Sequence, residues 1–430
     1  MKFVAAGDAI IQRRIQEDFE GYTELTPYIE SADARFFNLE TTLNEEGECF
    51  ASQFSGGTYL RTSPRVLWDL EKFGFNLTSF NNNHAMDFSY GGLEATLTAL
   101  EETELVHAGV GRNLAEAAAP RYLDTKNGRV ALIAVNTSFD PSMMAGEQSE
   151  RVPGRPGVNG LRIESHLTVT KEEMEFVRTL AARTGINVQK TIEAKEGYHA
   201  LPSENEAELG SLKFVLGEKD AFVSTINPAD IERVKKAIYE AQLQADYIMV
   251  SIHSHQLSGD AKECPSQFLI DFAHTCIDCG AHAVVGHGPH LLRPIEVYKN
   301  CPIFYSLGDF ILQLYNVELA PADFFAKQGM PSNATVHELL AKRSKDFTRG
   351  LMTDKRMFIS VLPMWETDAD GKLTSLMLLP IELKMEGHKS EIGLPRVASP
   401  DAVLSYLGEM SAPYGVKLTA MDDGLIKCIW

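Results

Sequence analysis

Residues 74–88 of the chain read GFNLTSFNNNHAMDF. The first half has the apolar pattern of a strand, and a run of asparagines and a histidine follows it directly. A simple turn needs only one Asn or Gly, because these residues tolerate left-handed backbone. The cluster is either an Asn-rich turn or a set of functional side chains at the mouth of a strand, and the rest of the chain decides between these interpretations.

Short apolar runs alternate with helical patterns along most of the chain. The runs that predict strands are KFVAAG (2–7), ARFFNLE (34–40), FNLTSF (75–80), RVALIAVN (129–136), DYIMVSIH (246–253), AHAVVGH (281–287) and CPIFYSLGDF (301–310). Between them, segments such as 63–74 and 264–280 have the apolar periodicity of helices. The alternation predicts an α/β protein in which helices cover a layered sheet.

Two looser regions interrupt this pattern. The first, about 141–227, is turn-rich and polar and predicts an insertion into a core of about 1–140 and 228–312. The second runs from Val317 to Asp354. After it, residues 356–367 and 373–385 alternate like an antiparallel pair, and a helical pattern follows at 399–411. We therefore expect one domain, 1–430, in which about 350–430 complete the sandwich.

Composition and charge narrow the function classes. The chain is 44% hydrophobic and 23% charged, as in ordinary globular proteins, and no window approaches the ~20 apolar residues that span a bilayer. We therefore expect a cytoplasmic protein without membrane insertion. The net charge of -19 disfavours nucleic acid as a partner. Any anionic substrate must then be held locally, by metal ions or a few arginines.

The cysteines predict neither a disulfide framework nor redox activity. There are six in 430 residues, and the pair Cys276 and Cys279 falls near the end of a predicted helix. Redox dithiols lie instead at helix N-termini, where the helix dipole lowers the thiol pKa. We therefore interpret this pair as helix-packing residues.

Nearly every predicted strand ends in a residue that can ligate a metal. These residues are Asp8, Glu40, Asn83 with His84, His253 with His255, and His287 with His290. Each has a plain alternative: Asp8 could cap a helix, Glu40 could be a solvated charge and His253 a core histidine. Strand ends gather at one edge of an α/β sheet, so their coincidence favours a metal site. Carboxylate, amide and imidazole without thiolate suit Mn, Fe or Zn and argue against a structural zinc site.

The segment GHGPH, residues 286–290, is the most specific of these ends. Gly286 and Gly288 allow the backbone to approach a bound ion closely. Pro289 stiffens the turn, so that two imidazoles three residues apart can converge on one centre.

In their order along the chain, these motifs resemble the CapA family, named for bacterial poly-γ-glutamate capsule synthesis and similar in fold to calcineurin-like metallophosphoesterases. The resemblance covers about residues 1–312 and rests on GD (7–8), NLE (38–40), NNHAMD (82–87), GHGPH (286–290) and YSLGD (305–309). It implies a four-layer αββα sandwich of the metallophosphoesterase type, with an inserted segment and C-terminal added strands. A binuclear metal site would lie at the strand ends.

Residue roles follow from the resemblance. Glu40 would bridge two divalent ions; Asp8 and His290 would complete one, and Asn83, His253 and His287 the other. His84 would act as acid or charge stabiliser, with Asp87 three residues on. Departures from the pattern are Ile10, where phosphoesterases carry a histidine ligand, His255 as a spare imidazole, and Asp309 in place of the usual Asn.

Three functions remain open on these residues. The first is a hydrolase that uses metal-activated water on a phosphoester or another small anionic substrate, with His84 or His255 as proton donor. Arg61, Arg155 and Asn82 are the candidate substrate-binding residues. The second is hydrolysis or transfer at a γ-glutamyl or other amide bond. The third is a non-catalytic binding member of a capsule or envelope synthesis system. The substrate, the metal and the oligomeric state are not fixed by the sequence.

Overall fold

The structure is a computed structural model that describes residues 1–430. Its 24 strands, β1 to β24, span Lys2–Ile10, Ala34–Leu39, Thr42–Leu43, Arg61–Thr62, Leu77–Ser79, Val106–Ala108, Val110–Gly111, Arg121–Thr125, Gly128–Asn136, Gly157–Val158, Ile163–Val169, Glu206–Leu209, Leu212–Leu216, Ala221–Ile226, Tyr247–His253, Ala283–His287, Ile295–Tyr298, Cys301–Phe304, Asp309–Leu312, Ile359–Thr367, Leu373–Leu383, Pro395–Val397, Lys417–Ala420 and Ile426–Ile429.

The 11 α-helices, α1 to α11, span Glu20–Glu30, Leu67–Lys72, Ser89–Glu101, Leu114–Ala118, Lys171–Thr184, Val188–Lys195, Pro228–Gln242, Gln267–Asp278, Ala322–Lys327, Val336–Ser344 and Asp401–Ser411. None has both the length and the apolar character that spanning a bilayer requires. The chain divides into two compact units, one of Met1–Leu161 with Glu232–Trp430 and one of Arg162–Ile231.

Two large sheets build the first unit. The ten-stranded sheet has the path β23-β24-β21-β20-β1-β2-β5-β6, with β19 also paired to β1 and β22 to β21. The six-stranded sheet has the order β17-β18-β16-β15-β9-β8. Within them, β1, β2, β5 and β6 run parallel, as do β9, β15 and β16. The antiparallel pair predicted at 356–385 is confirmed as β20 and β21.

The two sheets pack face to face, with helices outside. One apolar cluster joins Phe3 and Phe36 of the first sheet to Leu132, Met249 and Val285 of the second. On the opposite face of the first sheet, residues of β1 and β2 cluster with those of α1, α2 and α3. Helix α8 buries its apolar face and contacts β16 of the second sheet. This order of layers confirms the predicted αββα sandwich.

The segment CPIFYSLGDF is not one strand, as its apolar run predicted. It forms β18 in the six-stranded sheet and β19 in the ten-stranded sheet. Between them the chain crosses from one sheet to the other at Gly308, which has a φ of 72°. A Cβ atom on Gly7 would come within 1.8 Å of the Gly308 carbonyl oxygen, so two glycines allow the strands to meet here.

The loose region from Val317 to Asp354 contains helices α9 and α10. Thr335 caps α10 and its partner Glu338 completes a capping box, a signal that the sequence carries as TVHE. Phe324, Phe325 and Leu339 belong to an apolar cluster that also contains Tyr59 and Leu60. The region therefore packs against the chain around residue 60.

The second unit is a four-stranded sheet with the order β12-β13-β11-β14. Helix α5 begins with a capping box of Thr170 and Glu173 and buries Met174 and Val177 with Phe214. Residues 141–161 belong to the first unit. The boundaries predicted for an insertion, 141 and 227, remain a prediction.

Cysteine chemistry plays no part in holding the fold, since all six cysteines are free. Cys276 is buried near the C-terminal end of α8, and burial raises its thiol pKa well above the usual value. A buried thiol with a raised pKa fits the packing role predicted for it.

Trp365 is the residue whose loss should weaken the sandwich most clearly. It is 1% exposed, and its indole nitrogen donates to the Tyr247 hydroxyl at 2.8 Å, joining β20 to β15 across the sheets. We expect Trp365→Ala to cost about 3–5 kcal/mol of unfolding free energy, measured by urea denaturation and circular dichroism. Trp68→Ala, at a residue 57% exposed, is the control. Equal stabilities of the two variants would contradict this account of the core.

Candidate metal centre

The ligand-type residues meet where parallel strands of the two sheets end. His253 and His287 are the last residues of β15 and β16 and are direct neighbours in register. In the first sheet, Glu40 follows β2 directly, and Asp8 lies near the end of β1. The sequence placed Asp8 at the end of a strand, but β1 continues to Ile10 through an irregularity in register after Asp8.

Three overlapping groups of side chains have ligand atoms within 4.8 Å of one another. They are Asp8 with His253 and His287, Glu40 with His253 and His255, and Asp8 with His290 and Asp309. The resemblance assigns His287 to one ion with Asn83 and His253, and it names His255 as a spare imidazole and Asp309 as a departure. In the structure, His287 lies beside Asp8 instead, with Nδ1 and Oδ1 3.4 Å apart.

Glu40 lies at the centre of the site. It is fully buried, and neither carboxylate oxygen has a hydrogen-bond partner. The Nε2 atoms of three histidines approach its Oε1 at 3.8–3.9 Å; they are His84, His253 and His290. Burial, followed by the charges of Asp8 and Asp309, raises the pKa of Glu40 well above its usual value. A buried carboxylate without donors is costly unless a cation binds it.

Asp8 differs from Glu40 in being held from several sides. Asn38 donates to one oxygen at 2.7 Å and the Gly288 amide to the other at 2.8 Å. Burial would raise the pKa of Asp8, but its hydrogen bond with His287 and the charges of the nearby histidines hold that pKa below its usual range. Gly288 has a φ of 120°, a backbone conformation that favours glycine.

The imidazoles of the six-stranded sheet face one another. Ser251 Oγ lies 2.7 Å from His287 Nε2 and so turns the other ring nitrogen, Nδ1, toward Asp8 and His253. His253 contacts His287 at 2.9 Å and His255 at 3.1 Å through its two ring nitrogens. Burial lowers the pKa of His253, and burial with the charge of His290 lowers the pKa of His255 to about 3. Neutral imidazoles are the form that binds metals.

Asp309 lies beside Asp8 and His290, the two residues that the resemblance assigns to the same ion as Glu40. Its Oδ1 is 2.9 Å from His290 Nδ1, while its Oδ2 is buried without a partner. Burial raises the pKa of Asp309 to about 6 although His290 opposes this. Ile10 is 1% exposed and belongs to an apolar cluster with Leu60 and Leu312. A carboxylate from β19 is therefore available beside Asp8, whereas the position of Ile10 is part of the core.

We accordingly expect Ile10→His to destabilise the protein without tightening metal binding. Burying an imidazole among apolar side chains costs about 1–3 kcal/mol. Asp309→Asn, by contrast, should weaken one ion about tenfold or more with little change in fold. Calorimetric titration of Mn²⁺ into the metal-free variants measures both effects, with Ile10→Val as the control. Tighter binding in Ile10→His would show that a ligand is missing at that position.

His84 is oriented by Asp87. Its Nδ1 lies 2.6 Å from Asp87 Oδ2, which leaves Nε2 facing Glu40. Asp87 also accepts backbone amide hydrogen bonds from Gly56 at 3.2 Å and Leu60 at 2.8 Å. Burial raises the pKa of Asp87, while the charge of His84 lowers it in part. The pair can hold and release a proton at His84 Nε2.

Asn82 and Asn83 have different surroundings, which answers the question raised by the NNNH run. Asn82 donates to the Leu39 carbonyl at 2.7 Å and accepts from the His84 amide at 3.0 Å, so its side chain holds the turn. Asn83 donates to the Gly56 carbonyl at 3.1 Å, and its Oδ1 is buried without a partner. Asn83 therefore has a free amide oxygen at the site, whereas both ends of Asn82 are occupied.

Neither candidate arginine faces the site. Arg61 donates to the Asn44 carbonyl at 2.8 Å, and Arg155 is exposed and donates to the Met144 carbonyl at 3.0 Å. Neither lines the cleft beside His255 and Asn83. The structure therefore does not bring these two residues together with the predicted ligands.

Sequence reasoning missed the residues that support the ligands. Asn38, inside the NLE motif, holds Asp8, and Ser251 holds His287. Arg293 is fully buried and donates to the carbonyls of the loop after β15, among them Ser254 at 3.3 Å and Gln256 at 2.9 Å. Burial lowers the pKa of Arg293 to about 10. Only the position of Asn38 beside a ligand could have signalled such a role.

The donor set fits divalent cations. Glu40, Asp309 and Asn83 all present buried oxygen atoms without a hydrogen-bond partner, and the neighbouring imidazoles offer nitrogen. Oxygen and imidazole donors without thiolate suit Mn, Fe or Zn.

Comparison with known families agrees with these motifs. The family model described as "Bacterial capsule synthesis protein PGA_cap" matches residues 2–314. The chain belongs to this family. The matched range contains every ligand-type residue described above, so the predicted resemblance to the CapA family is confirmed. The family match shows the relationship and leaves the reaction open.

The similar proteins span a range of identities. An uncharacterized protein of Sinorhizobium fredii, y4sH, is 30% identical and covers 99% of this chain and 92% of its own length. The capsule biosynthesis protein CapA of Bacillus anthracis is 22% identical over 71% of this chain and 58% of its own length. Among solved structures, a putative 5'-nucleotidase from Staphylococcus aureus aligns with a TM-score of 0.36 and 12% identity, covering 88% of this chain and 54% of the other.

Proposed function

We propose that the chain is a metal-dependent hydrolase that acts on a phosphoester. The observation that carries the proposal is Glu40, a fully buried carboxylate with both oxygens unpartnered and three imidazole nitrogens at 3.8–3.9 Å. Burying such a group lowers the free energy of unfolding unless a cation binds to it. Active sites commonly contain buried groups of this kind with strongly perturbed pKa values.

The residues that would hold two divalent ions are Asp8, Glu40, Asn83, His253, His255, His287, His290 and Asp309. When bound, a pair of such ions polarises a phosphoryl or carbonyl oxygen and makes water a nucleophile near neutral pH. Glu40 is central to the groups and is the candidate to contact both ions. Asn38, Gly288 and Ser251 fix Asp8 and His287, so that little rearrangement of these ligands is needed on binding.

His84 is the candidate proton donor to the leaving group. Asp87 holds Nδ1, so the proton to be transferred resides on Nε2, which faces the ligand cluster. The carboxylate stabilises the charged imidazole before the transfer and keeps the ring in place after it. His255 lines the adjacent cleft, but burial lowers its pKa to about 3, so it suits a ligand better than an acid.

A second candidate is cleavage of a γ-glutamyl amide bond. It is favoured by the names of relatives, which include a PGA biosynthesis protein CapA of Bacillus subtilis, 42% identical over 84 residues. The same ligand set could serve a carbonyl substrate. The third candidate, a binding role, is favoured by a Mycobacterium tuberculosis relative named as a probable polyglutamine synthesis accessory protein.

A substrate panel separates the three candidates. The protein, loaded with Mn²⁺, is assayed with p-nitrophenyl phosphate, bis-p-nitrophenyl phosphate and γ-glutamyl-p-nitroanilide, with Glu40→Gln as the matched inactive variant. We expect the wild-type protein to release p-nitrophenol from a phosphoester in a metal-dependent reaction. The variant should not catalyse this release. Release from the anilide alone would favour amide chemistry. No release from any substrate by fully loaded protein would contradict the proposal and favour a binding role.

A further inference from the structure

An open cleft of about 280 Å³ adjoins the ligand cluster. His255 and Asn83 line it on the side of the cluster. Its volume lies just below the range for small-molecule sites, about 300–1,000 Å³. There is room for one compact group beside the reacting centre, such as an aromatic ring.

One wall of the cleft is apolar. It is formed by Phe54, Phe139 and Met143. Met143 belongs to the main core, and the ring of Phe139 lies so close to Gly160 that a Cβ atom there would come within 2.5 Å of it. The wall is thus fixed by the core on the side of Phe139 and Met143.

Phe54 comes from a different segment of the chain, the loop before β4, which is hydrogen-bonded to Asp87 and Asn83. Two residues later, the backbone amide of Gly56 donates to Asp87 Oδ1 at 3.2 Å, and the carbonyl of Gly56 accepts from the Asn83 side chain at 3.1 Å. A Cβ atom on Gly56 would lie 2.3 Å from the Asn83 side chain and 2.7 Å from the His84 ring. The loop that carries Phe54 is therefore held beside Asn83 and His84.

The cleft is lined by one acidic side chain and by no basic amino acid of the Lys or Arg type. Among the lining residues, Asp140 is the only aspartate or glutamate. The Asp140 Oδ1 atom accepts from the amide and the hydroxyl of Ser142, at 3.0 and 2.6 Å, which holds the carboxylate in place. No lysine or arginine lines the cleft.

We infer that the substrate joins one anionic group, held at the ligand cluster, to an uncharged aromatic or apolar group held in this cleft. The inference rests on the proposed function and specifies its substrate class. A chain of carboxylates, such as a γ-glutamyl polymer, would place negative charge beside Asp140 with no cation to compensate. The overall charge of -19 adds to this repulsion.

The test is a binding comparison with two phosphonates, which have no phosphoester bond to hydrolyse, and one γ-glutamyl peptide. Phenylphosphonate, 4-carboxyphenylphosphonate and a tetramer of γ-glutamate are titrated into Mn²⁺-loaded protein by calorimetry. We expect phenylphosphonate to bind about fivefold or more tightly than its carboxylated analogue, as repulsion between two charges across a solvated cleft predicts. The γ-glutamate tetramer should bind more weakly still.

Two variants assign the preference to the cleft. Asp140→Asn removes the negative charge and keeps the hydrogen bonds to Ser142, because Asn and Asp cap equally well. This variant should no longer discriminate against the carboxylated analogue. Phe139→Ala should weaken both phosphonates about 5–30-fold, the range expected for losing part of an apolar contact. The ratio between the two phosphonates should stay unchanged in Phe139→Ala.

The outcomes separate this inference from the proposed function. Tighter binding of the carboxylated analogue or of γ-glutamate, or no binding of any probe, would overturn the inference. Hydrolysis of phenyl phosphate and 4-carboxyphenyl phosphate at equal kcat/KM would overturn it while leaving the hydrolase intact. The expected binding pattern without hydrolysis of either ester would support the ligand class and contradict the hydrolase.

Discussion

Glu40→Gln should abolish the binding of metal at the centre while leaving the fold intact. The change keeps the shape of the side chain and removes the charge that two cations would share. Loss of a residue that merely supports a ligand costs about 10–100-fold in metal affinity, and loss of a shared ligand should exceed this. Elemental analysis after dialysis should find close to two ions per wild-type chain, expected for a two-ion site, and fewer than one in the variant.

Stability gives a second and independent measure of the same change. Without metal, wild-type Glu40 is a buried carboxylate with no donor, so the metal-free variant should be as stable as wild type or more stable by about 1–3 kcal/mol. With Mn²⁺ at 100 times its Kd, wild type should gain about 2.7 kcal/mol for each ion bound and the variant nothing. Glu104→Gln, at an exposed glutamate, is the control. Full metal content in Glu40→Gln would contradict the central role of this residue.

His84→Ala should leave the metal content unchanged while kcat falls by about 10²–10⁴-fold, the range for loss of a general acid. The reason is geometric: His84 Nε2 is 3.9 Å from Glu40 but belongs to none of the close ligand groups. Asp87→Asn should also lower kcat, because an amide no longer stabilises the charge of the ring.

The comparison needs both metal analysis and kinetics on the substrate that the panel identifies. His166→Gln, a half-buried histidine of the second compact unit, is the control and should behave as wild type in both measurements. If His84→Ala instead loses metal in step with activity, His84 is a ligand and another group must supply the proton.

The sequence predicted the layered fold and the neighbourhood of the ligands well, for a simple reason. Strand runs such as DYIMVSIH are nearly all apolar because both faces of β15 are buried, and their polar terminal residues then stand out. Since parallel strands end at one edge, residues far apart in sequence, such as Glu40 and His253, could be expected to meet.

What the sequence could not provide was the path of the chain between sheets and the partner of each polar group. The run CPIFYSLGDF looks like one strand because apolar residues occur on both sides of the crossing at Gly308. Asn82 and Asn83 are identical in type, yet one is bonded at both ends and the other has a free oxygen. Hydrogen-bond partners depend on long-range packing, which residue type does not encode.

Arg61 and Arg155 illustrate the same limit for charges. A guanidinium can serve an anion or a backbone carbonyl equally well, and both residues donate to carbonyls here. Arg293, which no motif signalled, is the buried arginine that fixes the loop carrying His255.

The most direct test of a metal centre around Glu40 is anomalous diffraction from crystals of the protein grown with Mn²⁺, collected on both sides of the manganese absorption edge. We expect two anomalous peaks, both beside the Glu40 carboxylate, with Asp8, His290 and Asp309 around one and His253 around the other. Fully occupied manganese peaks elsewhere, with none beside Glu40, would contradict it.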